Sequence, residues 1–517
     1  MTRELVSISE PRGVQRHNGS SGTVLAVVGT LLAVIVGCAL GELAGGRIPA
    51  LACSAPLAVV PVLIWRRPEI GFYVTLAATA VIEQFGYTVG PYNGAITDEI
   101  PFFRSLTPGS GVTPAEVLLV LTCGCFVLRR IRDRQPIFPR SQLARSIGVF
   151  LLLVLLFFVI GLVRNGDVKI AIWELRPWFY LAAMYVLGSA FLASKEAVRA
   201  VLWIYVVGSG AKAMYGIVIW LSVRHLYPRP DAVLAHEESY FFGLFALITI
   251  GLWLFSVSGP LRTVATALFP FVVFADMANS RREAWAILDC TIIVLLIITF
   301  VRVPSWRRLL CRMLVVLALV SAVYIPAYWN RDGTLAQPDR AIRSQIAPSA
   351  RDQQSDLYRT EENENLELMI HNERSLGAGF GQAIAYVIPI ANISSYDPAI
   401  NYIPHNGILY VWMRMGLLGE LAFWAVIASA IIAGCRLSAV ADREVAFLGA
   451  LVTCAAVAYV IMGQQDMGLF WFRIAFSFGA LLGAVEAALS RFKTADSRGQ
   501  QFEDEGRGHR GELAHSI

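Results

Sequence analysis

The chain has 517 residues, of which 56% are hydrophobic and only 16% charged, with a formal net charge of +5. Soluble domains carry about a quarter charged residues, and a mean hydropathy of +0.58 over the whole length does not suit a water-facing surface. A soluble globular enzyme, a disordered chain and a disulfide-rich secreted domain are excluded, which leaves an all-α polytopic membrane protein; the small net charge argues against nucleic acid as a partner.

Residues 1–22 are polar and precede a run, 23–43, that is long enough to span. They read as a cytosolic leader before a true membrane helix, not as a cleavable signal. Runs of about 17 or more apolar residues cross roughly 30 Å of hydrocarbon. Such runs follow at 48–65, 70–86, 113–128, 146–163, 177–193, 199–221, 241–257, 263–279, 284–301 and 312–328. After a long polar interval come 406–434, 445–463 and 468–490, for about fourteen transmembrane helices in all. The expected organisation is a leader (1–22), a helix bundle (23–328), an extracytoplasmic loop or cap (329–404), C-terminal membrane helices (405–490) and a disordered cytosolic tail (491–517).

Short cytosolic loops are enriched in Lys and Arg. With the N-terminus inside, the inside loops hold Arg66, Arg67, Arg129, Arg130, Arg132, Lys195, Arg199, Arg262, Arg302, Arg307, Arg308, Arg436 and Arg443, and the outside loops hold fewer. Both termini are therefore expected in the cytosol and the interval 329–404 outside. Its charged stretch 356–373 suits a helix, with Leu366, Leu368, Met369 and Ile370 as apolar members, and points to a small folded cap. None of the eight Cys lies in that interval, so neither a disulfide framework nor a zinc site is expected.

Polar groups at membrane ends are informative, because each costs free energy unless paired or wetted. His405 and Asn406 open the helix that follows the long interval, in "PHNGILYVWMRMGLLGE". An imidazole there can accept a proton near neutral pH; the plain alternative is a histidine that caps the helix. "NSRREAW" puts Arg281 and Arg282 at an external helix end, where guanidinium forks suit phosphate or simply snorkel to lipid head groups. Arg359 lies upstream of "LGAGFGQ", in which Gly377, Gly379 and Gly381 permit tight backbone and close approach to a ligand. Asp98 and Glu99 could bind a cation, although two adjacent acids in a solvated loop more often do nothing. His236, Glu237 and Glu238 could ligate a metal, but they lack HExxH spacing and read as a solvated helix start. Trp173 and Trp178, around Glu174 and Arg176, read as interface aromatics that could also stack on sugar rings, and Lys212 as a partner for an acid inside the bundle.

Taken together, these motifs resemble the O-antigen ligase and polysaccharide polymerase superfamily. The resemblance runs from Ser280 to Gly434. It rests on Ser280–Arg281, on Arg359 before the G-x-G-x-G of "LGAGFG", and on His405–Asn406 followed by Leu409, Gly416 and Gly419. Three positions depart from the family pattern: Arg414 where an acid is common, Asn363 where an aromatic is common, and "NERSLG" without a proline.

The resemblance implies a GT-C-like membrane glycosyltransferase of the bacterial plasma (inner) membrane. It would move a glycan from undecaprenyl diphosphate to an acceptor sugar hydroxyl on the extracytoplasmic face, with inversion and without a metal or other cofactor. His405 is then the expected base, and Arg281 and Arg359 hold the diphosphate. Arg282, Asn406, Gly377, Gly379, Gly381 and Arg473 are expected on the substrates. The implied partners are the lipid-linked glycan donor, a glycan or glycolipid acceptor, the bilayer and other envelope-polysaccharide assembly proteins. Two other readings stand beside it: a transporter or flippase of lipid-linked glycans, and a metal-dependent GT-C enzyme using Asp98 and Glu99.

Overall fold

The computed structural model describes residues 62–492, apart from 90–91, 94, 97–99, 106–110, 227–229, 231, 332, 374–375 and 394–398. The expected leader, the span 23–43, most of 48–65, nearly all of the tail, and the pair Asp98–Glu99 lie outside the described residues. Helices dominate. The exception is a two-residue antiparallel pair, β1 (Thr88–Val89) with β2 (Tyr92–Asn93), which the all-α reading did not contain.

Helices α1 (Pro68–Val81), α2 (Pro114–Arg132), α3 (Gln142–Val163), α4 (Val168–Phe191), α5 (Lys195–Val223), α6 (Glu238–Leu254), α7 (Pro260–Asn279), α8 (Arg282–Arg302) and α9 (Arg307–Tyr328) run up and down in sequence. They precede α10 (Gln337–Ile346) and α11 (Ala350–Asn372), and are followed by α12 (Gly407–Leu437), α13 (Arg443–Gln465) and α14 (Phe472–Phe492). Local sequence sets their starts. Thr113 and Glu116 form a reciprocal capping box before Pro114, and Ser141, Asp167, Ser194 and Asp442 each accept from a first-turn backbone N–H. Eight helices among the described residues are long and apolar enough to cross a membrane: α3, α5, α7, α8, α9, α12, α13 and α14. Four of the expected spans fall short of that. α1 has 14 residues and α6 has 17, α2 ends in Arg129, Arg130 and Arg132, and α4 carries Lys169, Glu174 and Arg176.

The antiparallel run brings the turns before α6, α8 and α12, the turn after α13, and helices α10 and α11 to one end of the bundle. The starts of α5, α7 and α13 lie at the other. Helices α13 and α14 form the middle, with α12 and α8 packed on α13 and α3 packed on α12. Trp178 is 3% exposed, inside an aromatic cluster with Phe150, Phe423 and Phe470, and is not the interface residue that its position suggested. By contrast, α9 buries only Leu310 and turns Val315, Leu317, Leu319 and Val323 outward, as a lipid-facing helix would.

α12 is broken at Gly416, which sits at φ 60° and ψ −167°. The preceding carbonyls of Met413 and Arg414 accept from the N–H groups of Ala378 and Gly379. A kink deep in a bundle is tolerated when neighbouring groups satisfy the backbone it frees. The long run 406–434 is thus a bent helix held by the glycine loop. Arg414, fully buried, binds Glu174 through Nε at 3.0 Å and a second nitrogen at 2.7 Å, and donates to the carbonyls of Gly379 and Tyr402. The other oxygen of Glu174 accepts from Gly381 N–H at 2.6 Å. This pair ties α4, the glycine loop and α12 together.

A second buried network stands behind the turn before α6. Arg473 binds Glu237 at 2.8 Å and Glu238 at 2.6 Å, and Lys212 pairs with Glu83. The expected solvated start at Glu237–Glu238 is therefore incorrect: both acids are buried, and two cations from α5 and α14 neutralise them. Lys212 does pair with acids inside the bundle, as its setting suggested.

Candidate active site

α11 begins at Ser349, whose hydroxyl accepts from Asp352 N–H. Its i, i+3, i+4 face presents Tyr358, Glu362, Asn365 and Leu366. Asn365 is fully buried and clamps the returning chain, accepting from the N–H groups of Val387 and Ile388 and donating to Ile388 carbonyl. Fully buried Glu362 turns to the segment before α12. Its carboxylate accepts the His405 backbone N–H at 3.0 Å, and the His405 Nδ1 lies at 3.2 Å. The Tyr358 ring meets the imidazole edge to face, 5.6 Å between centroids. Asn406 caps α12, its Oδ1 accepting from Ile408 and Leu409 N–H, so His405 is held from both sides. No partner reaches its Nε2 among the described residues, which leaves that nitrogen as the available one.

Desolvation opposes protonation of His405, but the Glu362 hydrogen bond and the charges of Asp466 and Glu362 outweigh it and the repulsion of Arg359, so its pKa lies above the ordinary histidine value. Arg359 is half-buried and makes no hydrogen bond or ion pair among the described residues. Its charge acts on both His405 and Asp466.

Asp466 follows α13 and is 5% exposed. Its Oδ2 lies 2.8 Å from Nδ1 of His236, which is also 3.4 Å from Oε1 of buried Glu283. These three residues bring ligand-type atoms within 4.8 Å of one another, a spacing a divalent cation could accept. At 2.8 Å the two atoms are in ion-pair contact, although the alignment does not make a hydrogen bond and leaves His236 Nδ1 without such a partner. Desolvation of His236 and the Arg281 charge oppose protonation, while the charge and contact of Asp466 and the contact of Glu283 push its pKa up to about 9. Asp466 is held well below the usual carboxylate range: burial works against this, but the His236, His405 and Arg359 charges prevail. Arg281 donates only to Leu234 carbonyl, lies 6.0 Å from the Tyr87 ring, leaves its buried Nε without a partner, and pairs with no carboxylate among the described residues. The chain Arg281–His236–Asp466–His405–Arg359 is thus electrostatically continuous.

Residues 263–424 match the family model described as O-antigen ligase. Over this segment the chain is similar to O-antigen ligases. No curated protein matches the chain. The matched segment includes Arg281, Glu283, Arg359, Glu362 and His405, whereas His236 and Asp466 come from outside it.

The other expected site residues have different surroundings. Arg282 faces the cap, forking onto Asp356 at 2.7 and 3.2 Å with Asp352 at 3.9 Å. Gly377, Gly379 and Gly381 are buried against helix backbone and all have positive φ; a Cβ on Gly379 would lie 2.5 Å from Gly161. This loop packs, and its geometry accounts for the glycines without a ligand. Arg473 is wholly buried in the network with Glu237 and Glu238 and presents no surface to the site. Glu362, Tyr358 and Asp466 lie outside the motifs that the sequence displays, and Glu283 stands within "NSRREAW" beside the two arginines. Glu362 carried one usable signal: it follows Arg359 by three residues on a helix, so both share a face.

Proposed function

We propose that this protein transfers a glycan from undecaprenyl diphosphate to an acceptor sugar hydroxyl at the extracytoplasmic surface of a bacterial inner membrane, with inversion, on a GT-C-like bundle. The acceptor oxygen forms the new bond to the anomeric carbon. Nε2 of His405 takes the hydroxyl proton, and the electron pair of the old C–O bond leaves on the diphosphate. Glu362 fixes the tautomer by holding Nδ1–H, so that the lone pair on Nε2 faces the acceptor. Arg359 and Arg281, neither of them spent on a carboxylate, supply the charge that the leaving diphosphate needs. The observation that carries this reading is an imidazole clamped at Nδ1 by a buried carboxylate, with an unpaired guanidinium three residues from that carboxylate on the same helix. The acceptor would be a second lipid-linked glycan for a polymerase, or a lipid-anchored core for a ligase.

The test is transfer in vitro from an undecaprenyl diphosphate-linked glycan by the purified full chain. His405→Ala and Arg281→Ala should each lower turnover, the arginine by about 2–4 kcal/mol of transition-state stabilisation. Wild-type turnover in both variants would sink the assignment. Mass spectrometry of the envelope glycan after gene loss separates the branches. Single repeats still attached indicate a polymerase, and accumulated lipid-linked polymer indicates a ligase.

A further inference from the structure

At the end of the bundle opposite the candidate site, the starts of α5, α7 and α13 and the ends of α6 and α14 enclose a cavity of about 340 Å³. That volume lies in the range of small-molecule pockets. Its walls are apolar. Leu202, Leu252, Leu261, Phe447, Leu448 and Ala488 line it, and none is more than 9% exposed. The charged part of the lining reaches solvent. Arg199 and Arg491 are exposed and Lys195 and Arg262 half-buried, against a single lining carboxylate, Glu444.

Partners within the chain answer only half of that positive charge. Glu444 takes Arg199, with both oxygens on one guanidinium nitrogen at 2.6 and 2.8 Å. Asp442 takes Lys195. Arg262 lies over the Trp253 ring at 4.4 Å and pairs with no carboxylate among the described residues. Arg491 pairs with none there either, and acts on Glu196 only through its field. Trp253 is 47% exposed. An exposed tryptophan beside an arginine at a helix end marks the membrane–water interface. The mouth of the cavity therefore sits at head-group level, and the apolar walls run inward from it.

The two parts of the lining ask for one amphiphilic occupant. A soluble anion would answer the arginines and leave the apolar walls wet. An uncharged chain would cover the walls and leave both guanidinium groups unanswered. A phospholipid with an anionic head group does both, since guanidinium forks suit its phosphate and basic pockets between membrane helices hold such head groups.

We propose that this cavity binds an anionic phospholipid of the leaflet opposite the candidate active site, with its phosphate on Arg262 and Arg491 and an acyl chain against Leu202, Leu252 and Phe447. By the Lys and Arg bias of the short loops, that leaflet is the cytosolic one. The lipid ties together five helices whose ends meet at the cavity.

The experiment offers phosphatidylglycerol, phosphatidylcholine or inorganic phosphate to the full chain in neutral detergent. Bound lipid is counted by native mass spectrometry, and melting temperature is recorded alongside. Phosphatidylglycerol should bind and raise the melting temperature, and the other two should do neither. Arg262→Gln combined with Arg491→Gln should weaken phosphatidylglycerol binding about tenfold or more. Arg307→Gln combined with Arg308→Gln removes two exposed arginines that do not line the cavity, and should bind as wild type does. If the first pair does not fold, Ala488→Leu narrows the cavity with both arginines kept, and should also weaken binding. Unchanged binding in a folded variant of the cavity would overturn the proposal. Equal losses in the two arginine pairs would overturn it as well, because general attraction to a basic surface would then suffice. Equal binding of phosphatidylcholine, or equal stabilisation by inorganic phosphate, would remove the anionic lipid as the occupant, and so would a full chain that retains no lipid. None of these readouts uses glycan transfer, so the lipid site and the transferase reading fail separately.

Discussion

Proton affinity at His405 is set by two opposing surroundings, and the acids win. Desolvation and Arg359 disfavour the imidazolium, while Glu362 and Asp466 favour it more strongly. A base must be neutral to work, so transfer should rise with pH, and the midpoint of that rise should lie above the ordinary histidine value of about 6.5. Glu362→Gln removes the charge and the strongest stabilising contact. Its rise should then move to lower pH, while the maximal rate falls about tenfold or more as the tautomer loosens. A pH–rate profile of the two proteins checks this; an unmoved midpoint would separate His405 from the titration. His405, Arg281 and Arg359 were legible because each sits in a short motif at an apolar-run boundary or ahead of a glycine cluster. Glu362 was not, because its partner lies 43 residues away across the cap. His236 was discounted as part of a solvated start, since hydropathy does not reveal that Arg473 and Lys212 fold over the neighbouring acids.

Between elements, stability rests on two buried ionic joints and one glycine loop. The Arg414–Glu174 pair is wholly buried and also carries the contacts of Gly379, Gly381 and Tyr402. Removing one partner of such a pair leaves the other charge without compensation, at a cost of about 3–5 kcal/mol. Glu174→Ala should therefore lower the melting temperature in detergent. A melting temperature equal to that of wild type would show that the joint does not brace the fold. Gly379→Ala tests the same junction from its backbone. The position has φ +83° and its Cβ would meet Gly161 at 2.5 Å, so the loop must shift or the helices separate. Loss of folding is expected there, and a well-folded variant would show that the loop tolerates movement. The apolar runs located most of the helices, and Pro, Ser, Thr, Asp and Asn stand at their caps. The kink at Gly416 was not readable, because a glycine inside an apolar run gives no sign of which distant N–H groups wait to satisfy the carbonyls it releases.

For the whole molecule, the distribution of unpaired charge separates transfer at a surface from alternating access. The cations buried deepest in the bundle are spent: Lys212 on Glu83, Arg473 on Glu237 and Glu238, and Arg414 on Glu174. A carrier would need polar groups near mid-membrane left open to both sides. The arginines left without a carboxylate in the candidate site gather instead at one end of the bundle, beside α11. If that end is extracytoplasmic, as the Lys and Arg bias of the short loops predicts, an impermeant thiol reagent should tell the two ends apart. On a chain whose eight native cysteines are replaced by serine, Glu367→Cys lies on the exposed side of α11 and Ser258→Cys in the exposed turn before α7. In intact spheroplasts the first should label and the second should label only after permeabilisation. The reverse pattern would put His405 on the cytosolic side and require a donor lipid that has not yet crossed the membrane, which is incompatible with the proposed transfer.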